Sequence, residues 1–74
     1  MMEKSNIRMQ TKLIIRRNGE YLQGTILYSN ELRWSRSAWD AWGTRDREKA
    51  REIARRTGGT VMLFNPVAGE LRVL

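Results

Sequence analysis

Histidine and cysteine are both missing from this chain of 74 residues. Without histidine there is no imidazole to move protons near neutral pH, and without cysteine there is no thiolate nucleophile. The same absences remove the two best ligands for a transition metal. The eight Asp and Glu residues are scattered, and no pair carries the spacing of a calcium loop. Neither a Gly-x-x-x-x-Gly-Lys run nor a Gly-x-Gly-x-x-Gly run after a strand is present to cradle a phosphate. No catalytic, metal or cofactor site is therefore expected, and the chain reads as a non-enzymatic binding protein. The lack of cysteine also removes the disulfide staple of a small secreted scaffold. No apolar run approaches the ~20 residues of a bilayer span, and Met1 to Gln10 has no signal-peptide core. The expectation is a cytoplasmic protein with no membrane contact.

What is present favours one small globular domain. The hydrophobic share of 41% is too high for a disordered chain. A domain this short buries only about 60% of the surface its unfolded chain exposes, which leaves little stability for a strained catalytic constellation. Fourteen Lys and Arg against eight Asp and Glu give a net charge of +6. That balance points to nucleic acid, an acidic protein surface or an anionic membrane as partner. Its bland counterpart is solubility alone, for which designed small domains carry a net charge of about 2–8.

Residues 1–10 show no period and are expected to form a flexible tail, with the domain spanning 11–74. Thr11 to Arg17 reads as a strand around Leu13, Ile14 and Ile15. Asn18-Gly19 is a strong two-residue hairpin turn, because both residues tolerate positive φ. Glu20 to Ser29 returns as a second strand, with a bulge expected at Gly24. After a turn at Ser29-Asn30, Glu31 to Ser35 is a short third strand with Leu32 and Trp34 on one side, and Ser35 to Asp40 an irregular excursion. A helix is predicted over Thr44 to Thr57, capped by Thr44 and ended by Gly58, with Ala50, Ile53, Ala54 and Thr57 as its narrow buried stripe. Thr60 to Phe64 and Glu70 to Leu74 are strands joined by a turn over Asn65 to Gly69.

The order predicts a two-layer α+β domain: one helix packed on a mostly antiparallel sheet of four or five strands, in ββ(β)αββ order. The sheet face away from the helix is expected to be solvated or used for a partner.

Three constellations are candidates for binding. Arg47, Arg51 and Arg55 recur every four residues and form one basic column on the helix. Such a column can grip phosphate or carboxylate, unless Glu48 and Glu52 neutralise it as an ordinary solvated face. Trp34, Trp39 and Trp42 are interleaved with Arg33 and Arg36. Rings among cations can stack bases or form a protein–protein hot spot, and Trp42, just before the expected cap, reads instead as a hydrophobic staple. Lys12, Arg16, Arg17 and Arg72 are cations on strands; Lys12 and Arg16 share a face, and Arg72 beside them would make that face basic, unless these charges only keep it wet.

From Trp34 onward the chain resembles small α+β proteins carried by bacteriophages and mobile elements. The shared pattern here is Trp34-Ser35, Ala41-Trp42, Thr44, Ala50 with Ile53-Ala54, Gly58-Gly59 and Val61-Met62-Leu63. Lys49-Ala50-Arg51-Glu52-Ile53-Ala54 followed by Gly59-Thr60-Val61-Met62 is similar to the helix and following strand of one type of anti-CRISPR protein. The resemblance implies a non-enzymatic inhibitor that occupies a surface of a host nucleic-acid-processing complex. Its partner would be a host protein or protein–RNA complex. Direct nucleic-acid binding and a structural, homo-oligomerising subunit are the alternatives, the latter because exposed sheet edges pair between copies.

Overall fold

The computed structural model describes residues 11–25 and 31–74. The expected flexible tail, the end of the second strand and the Ser29-Asn30 turn lie outside those residues. The elements are β1 (Lys12–Arg17), β2 (Glu20–Thr25), β3 (Leu32–Ser35), a 3-10 turn (Ala38–Asp40), α1 (Arg47–Thr57), β4 (Thr60–Asn65) and β5 (Glu70–Val73). The predicted α+β class holds. One helix packs on a fully antiparallel five-stranded sheet, whose spatial order is β3-β2-β1-β4-β5.

Local chemistry explains the boundaries. Asn18 and Gly19 take φ of 52° and 77°, which turns β1 directly into β2. Gly24 has φ 148°, and the β2–β3 register shifts between Leu22 and Gly24, so the expected bulge is there. At the β4–β5 turn, Asn65 Oδ1 accepts from the amides of Val67 and Ala68, and Gly69 closes the turn at φ 69°. Gly58, at φ 74°, ends α1 in the left-handed conformation.

The helix starts later than expected, at Arg47, with Asp46 and not Thr44 as its cap. The Asp46 carboxylate accepts from the amides of Glu48 and Lys49 at 3.0 and 3.2 Å. Thr44 is unavailable because β1 holds it extended: its amide donates to the Leu13 carbonyl and its carbonyl accepts from the Leu13 amide, at 3.0 and 2.8 Å. Its hydroxyl accepts only from the Asp46 amide. The staple assigned to Trp42 is displaced with the cap, although its ring still packs in the helix-side core.

That Thr44–Leu13 bridge marks the main departure from the expected architecture. β1 and β2 pair only near their turn, at Arg16↔Tyr21 and Arg17↔Glu20. Beyond it the segment 42–44 occupies the gap: the Trp42 amide donates to the Leu22 carbonyl, and Thr44 pairs with Leu13. The chain thereby passes from one sheet face to the other. Before the passage, Ala38 and Ala41 pack on Ile14, Tyr21, Met62 and Phe64. After it, Ala50 and Ala54 pack on Leu13, Ile15 and Leu22, with Trp34, Trp42, Ile53, Val61 and Leu63 alongside. The sheet face away from α1, expected to be solvated or used for a partner, is therefore covered over much of its centre by the chain's own 3-10 turn and its flanks. The near-continuous apolar run Leu13-Ile14-Ile15, buried throughout, is what a strand covered on both faces requires.

Gly43 lies where the passage meets the Lys12 side chain. A Cβ there would lie 2.4 Å from Lys12 Cδ. The Lys12 stem runs past it, and its ammonium donates to the Ala41 carbonyl at 3.0 Å.

Candidate functional site

Strand periodicity and helix placement separate the cations that looked adjacent in sequence. Lys12 and Arg16 do share a face, but it is the Ile14 face, and Lys12 is engaged by Ala41. Arg72 pairs with Leu63, which pairs with Leu13, so Arg72 stands on the helix side. The basic sheet face of Lys12, Arg16 and Arg72 is thus not formed. Arg33 and Arg36 are exposed on β3 and the following loop. Trp34, opposite Leu22 in register, packs on the helix side. Its ring lies 4.0 Å below the Arg17 guanidinium, whose Nη1 donates to the Thr57 carbonyl at 2.8 Å. Arg17 thus serves the fold, tying β1 and β3 to the helix C-terminus, where a cation is favoured.

Trp39 lies on the opposite face, 61% exposed. It meets Phe64 edge-on at 5.1 Å, and its indole N–H donates to the Pro66 carbonyl at 3.3 Å. Trp42 lines a shallow apolar hollow with Leu22, Gly24, Lys49 and Ile53. The three indoles and the interleaved arginines therefore do not assemble one stacking platform.

Arg47, Arg51 and Arg55 do come together. Their positions put them on the flank of α1 that faces β4 and β5, since the first lines a hollow with Leu63 and Leu74, and the other two a 390 Å³ cleft with Ala54, Gly59, Thr60, Val61 and Leu74. Arg45 joins the helix rim, and Arg72 stands on the strand side beside Leu63 and Glu70. The floor is aliphatic: Val61 and Leu63 are half-buried and Leu74 is 43% exposed. It exists because the α1 stripe is mainly alanine and narrow, so the helix sits over β1 and β4 and stops short of β5.

Of the acid–arginine pairings that would make α1 an ordinary solvated face, the one to Arg56 forms and none to the column does. Among the described residues the ion pair on α1 is Glu52–Arg56 at 3.0 Å. Arg56 projects on another side of the helix, one residue past the column. Glu48 pairs with none of the three column arginines within 4.0 Å. The column rises about 6 Å per step, so it presents unpaired guanidinium groups along one wall of an aliphatic trough. Sequence reasoning found the column and missed the floor. The signal for it was the alternation in β4, where Val61 and Leu63 must face away from Met62 and Phe64.

Fold and site together define a small basic α+β domain with a two-sided core and an arginine-rimmed groove. No protein-family model, curated protein or solved structure matches this chain. No described helix is long and apolar enough to cross a membrane, and the described residues hold no cluster of three or more carboxylates that could bind a metal ion.

Proposed function

We propose that this chain is a non-enzymatic inhibitor of the phage type. On this reading it docks its arginine-rimmed groove on an acidic protein surface of a host nucleic-acid-processing complex, in the host cytoplasm. The observation that carries the reading is the Arg47, Arg51, Arg55 column, unpaired with acids and set against an aliphatic floor. Arginine beside apolar surface is the composition of a protein–protein hot spot, where guanidinium forks meet carboxylates and the floor excludes water. The same partner class is what the sequence resemblance of residues 49–54 and 59–62 to one type of anti-CRISPR protein implies.

Direct nucleic-acid binding is the second reading, favoured by the regular rise of the column along a line that a phosphate backbone could follow. Against it, the floor offers no ring on which a base could stack, and the indoles lie elsewhere. The deciding experiment is co-elution of the chain with purified CRISPR effector complexes, using wild type and an Arg51→Glu/Arg55→Glu variant. A stable complex lost on charge reversal is expected. No complex with any effector, or one indifferent to the reversal, removes the inhibitor reading. A gel shift whose affinity falls steeply with salt, by counterion release, establishes the nucleic-acid reading instead.

A further inference from the structure

β5 ends the sheet, and the described residues place no strand beyond it. Its outward edge carries free hydrogen-bonding groups. The Leu74 amide donates to the Val61 carbonyl of β4 at 3.1 Å. In an antiparallel ladder this orientation alternates, so Arg72 faces β4 while Leu71 and Val73 turn their N–H and C=O outward. The two faces beside that edge differ in chemistry. On the helix side stand Arg72 and Leu74, backed across the groove by Arg51 and Arg55; Glu70 lies at the far end of the strand. On the other side stand Leu71 and Val73, the latter 69% exposed. Leu71 pairs with Phe64, on which Trp39 rests.

We propose that the groove's partner is held by strand addition at β5. The partner is an extended segment of an acidic protein in which carboxylate and apolar side chains alternate. This rests on the reading of the groove as a protein-binding site and specifies how the site takes its ligand. Backbone pairing with Leu71 and Val73 supplies register. The period of two then sends every carboxylate toward Arg72 and the arginine column, and every apolar side chain toward the Leu71–Val73 row. A second copy of this chain is the poorer occupant, because it brings one molecule of charge +6 against another, whereas an acidic segment complements that charge.

The test titrates the full chain with a short synthetic peptide in which glutamate and valine alternate. The controls are a peptide of the same composition with its glutamates grouped at one end, and a single-stranded oligonucleotide. The alternating peptide should bind tightest and slow amide exchange at Leu71 and Val73. Val73→Pro removes an outward donor and leaves the β4–β5 ladder intact, as edge strands tolerate. It should weaken the alternating peptide by about tenfold, the effect of one lost hydrogen bond, and leave the circular dichroism unchanged. If both peptides bind alike, are unaffected by Val73→Pro and are lost in Arg51→Glu/Arg55→Glu, strand addition is wrong and the groove reading stands. Failure of both peptides to bind overturns the groove reading itself, as does an oligonucleotide that binds more tightly than either peptide. Tighter self-association than peptide binding, seen by light scattering, assigns the edge to a second copy and overturns the proposal.

Discussion

Gly58 and Gly59 are adjacent, and their substitution should fail for different reasons. Gly58 has φ 74° with nothing within 4 Å of a built Cβ. Its cost on becoming alanine is conformational, about 1–2 kcal/mol. Gly59 has no positive φ, yet its Cβ would lie 2.5 Å from Ile15 Cγ2 and 3.0 Å from the Arg16 carbonyl oxygen. Ile15 is wholly buried, and Arg16 sits in the β1–β4 ladder opposite Thr60, so neither can yield without moving β1. Gly59→Ala should therefore cost about 1–3 kcal/mol by overpacking. A domain of this size has a total stability of about 4–11 kcal/mol, and the melting temperature should fall by about 4–8 °C per kcal/mol. Asparagine separates the mechanisms. It tolerates the left-handed region, so Gly58→Asn should be milder than Gly58→Ala; at Gly59 the larger side chain should be worse than alanine. Urea unfolding followed by tryptophan fluorescence reads all four variants, with the slope on urea unchanged if only stability has moved. Gly59→Ala within about 0.5 kcal/mol of wild type, or Gly59→Asn milder than Gly59→Ala, would refute the close approach of the helix end to β1. That approach also shapes the cleft of Arg51, Arg55 and Val61.

Two further pairs of variants test other joints. Arg17→Ala loses both the Trp34 ring contact and the bond to Thr57, and should destabilise by about 1–2 kcal/mol in chemical denaturation; Arg16→Ala, exposed on the next position, should be neutral within about 0.5 kcal/mol. Asp46→Ala should cost about 1 kcal/mol of stability by the same assay, and Thr44→Ala clearly less. The reverse order would return the cap to Thr44.

Much of the secondary structure was legible because its causes are local. The positive φ of Asn18-Gly19, the bulge at Gly24, the stop at Gly58 and the stripe Ala50, Ile53, Ala54, Thr57 all depend on residues a few positions apart. The arginine column was legible for the same reason, since helical periodicity needs no partner. Tertiary structure alone decided the rest. Thr44 lost its cap to a bridge with Leu13, distant in sequence. The passage of 42–44 between β1 and β2 covered the face expected to be solvated or used for a partner, and the pairing of Arg72 with Leu63 set it across the sheet from Lys12. The groove beneath the column exists only because a narrow alanine stripe lets α1 sit on β1 and β4 and leaves β5 bare. Periodicity along one strand says which residues share a face; which face meets which neighbour is settled by long-range pairing and packing, and no local pattern encodes it.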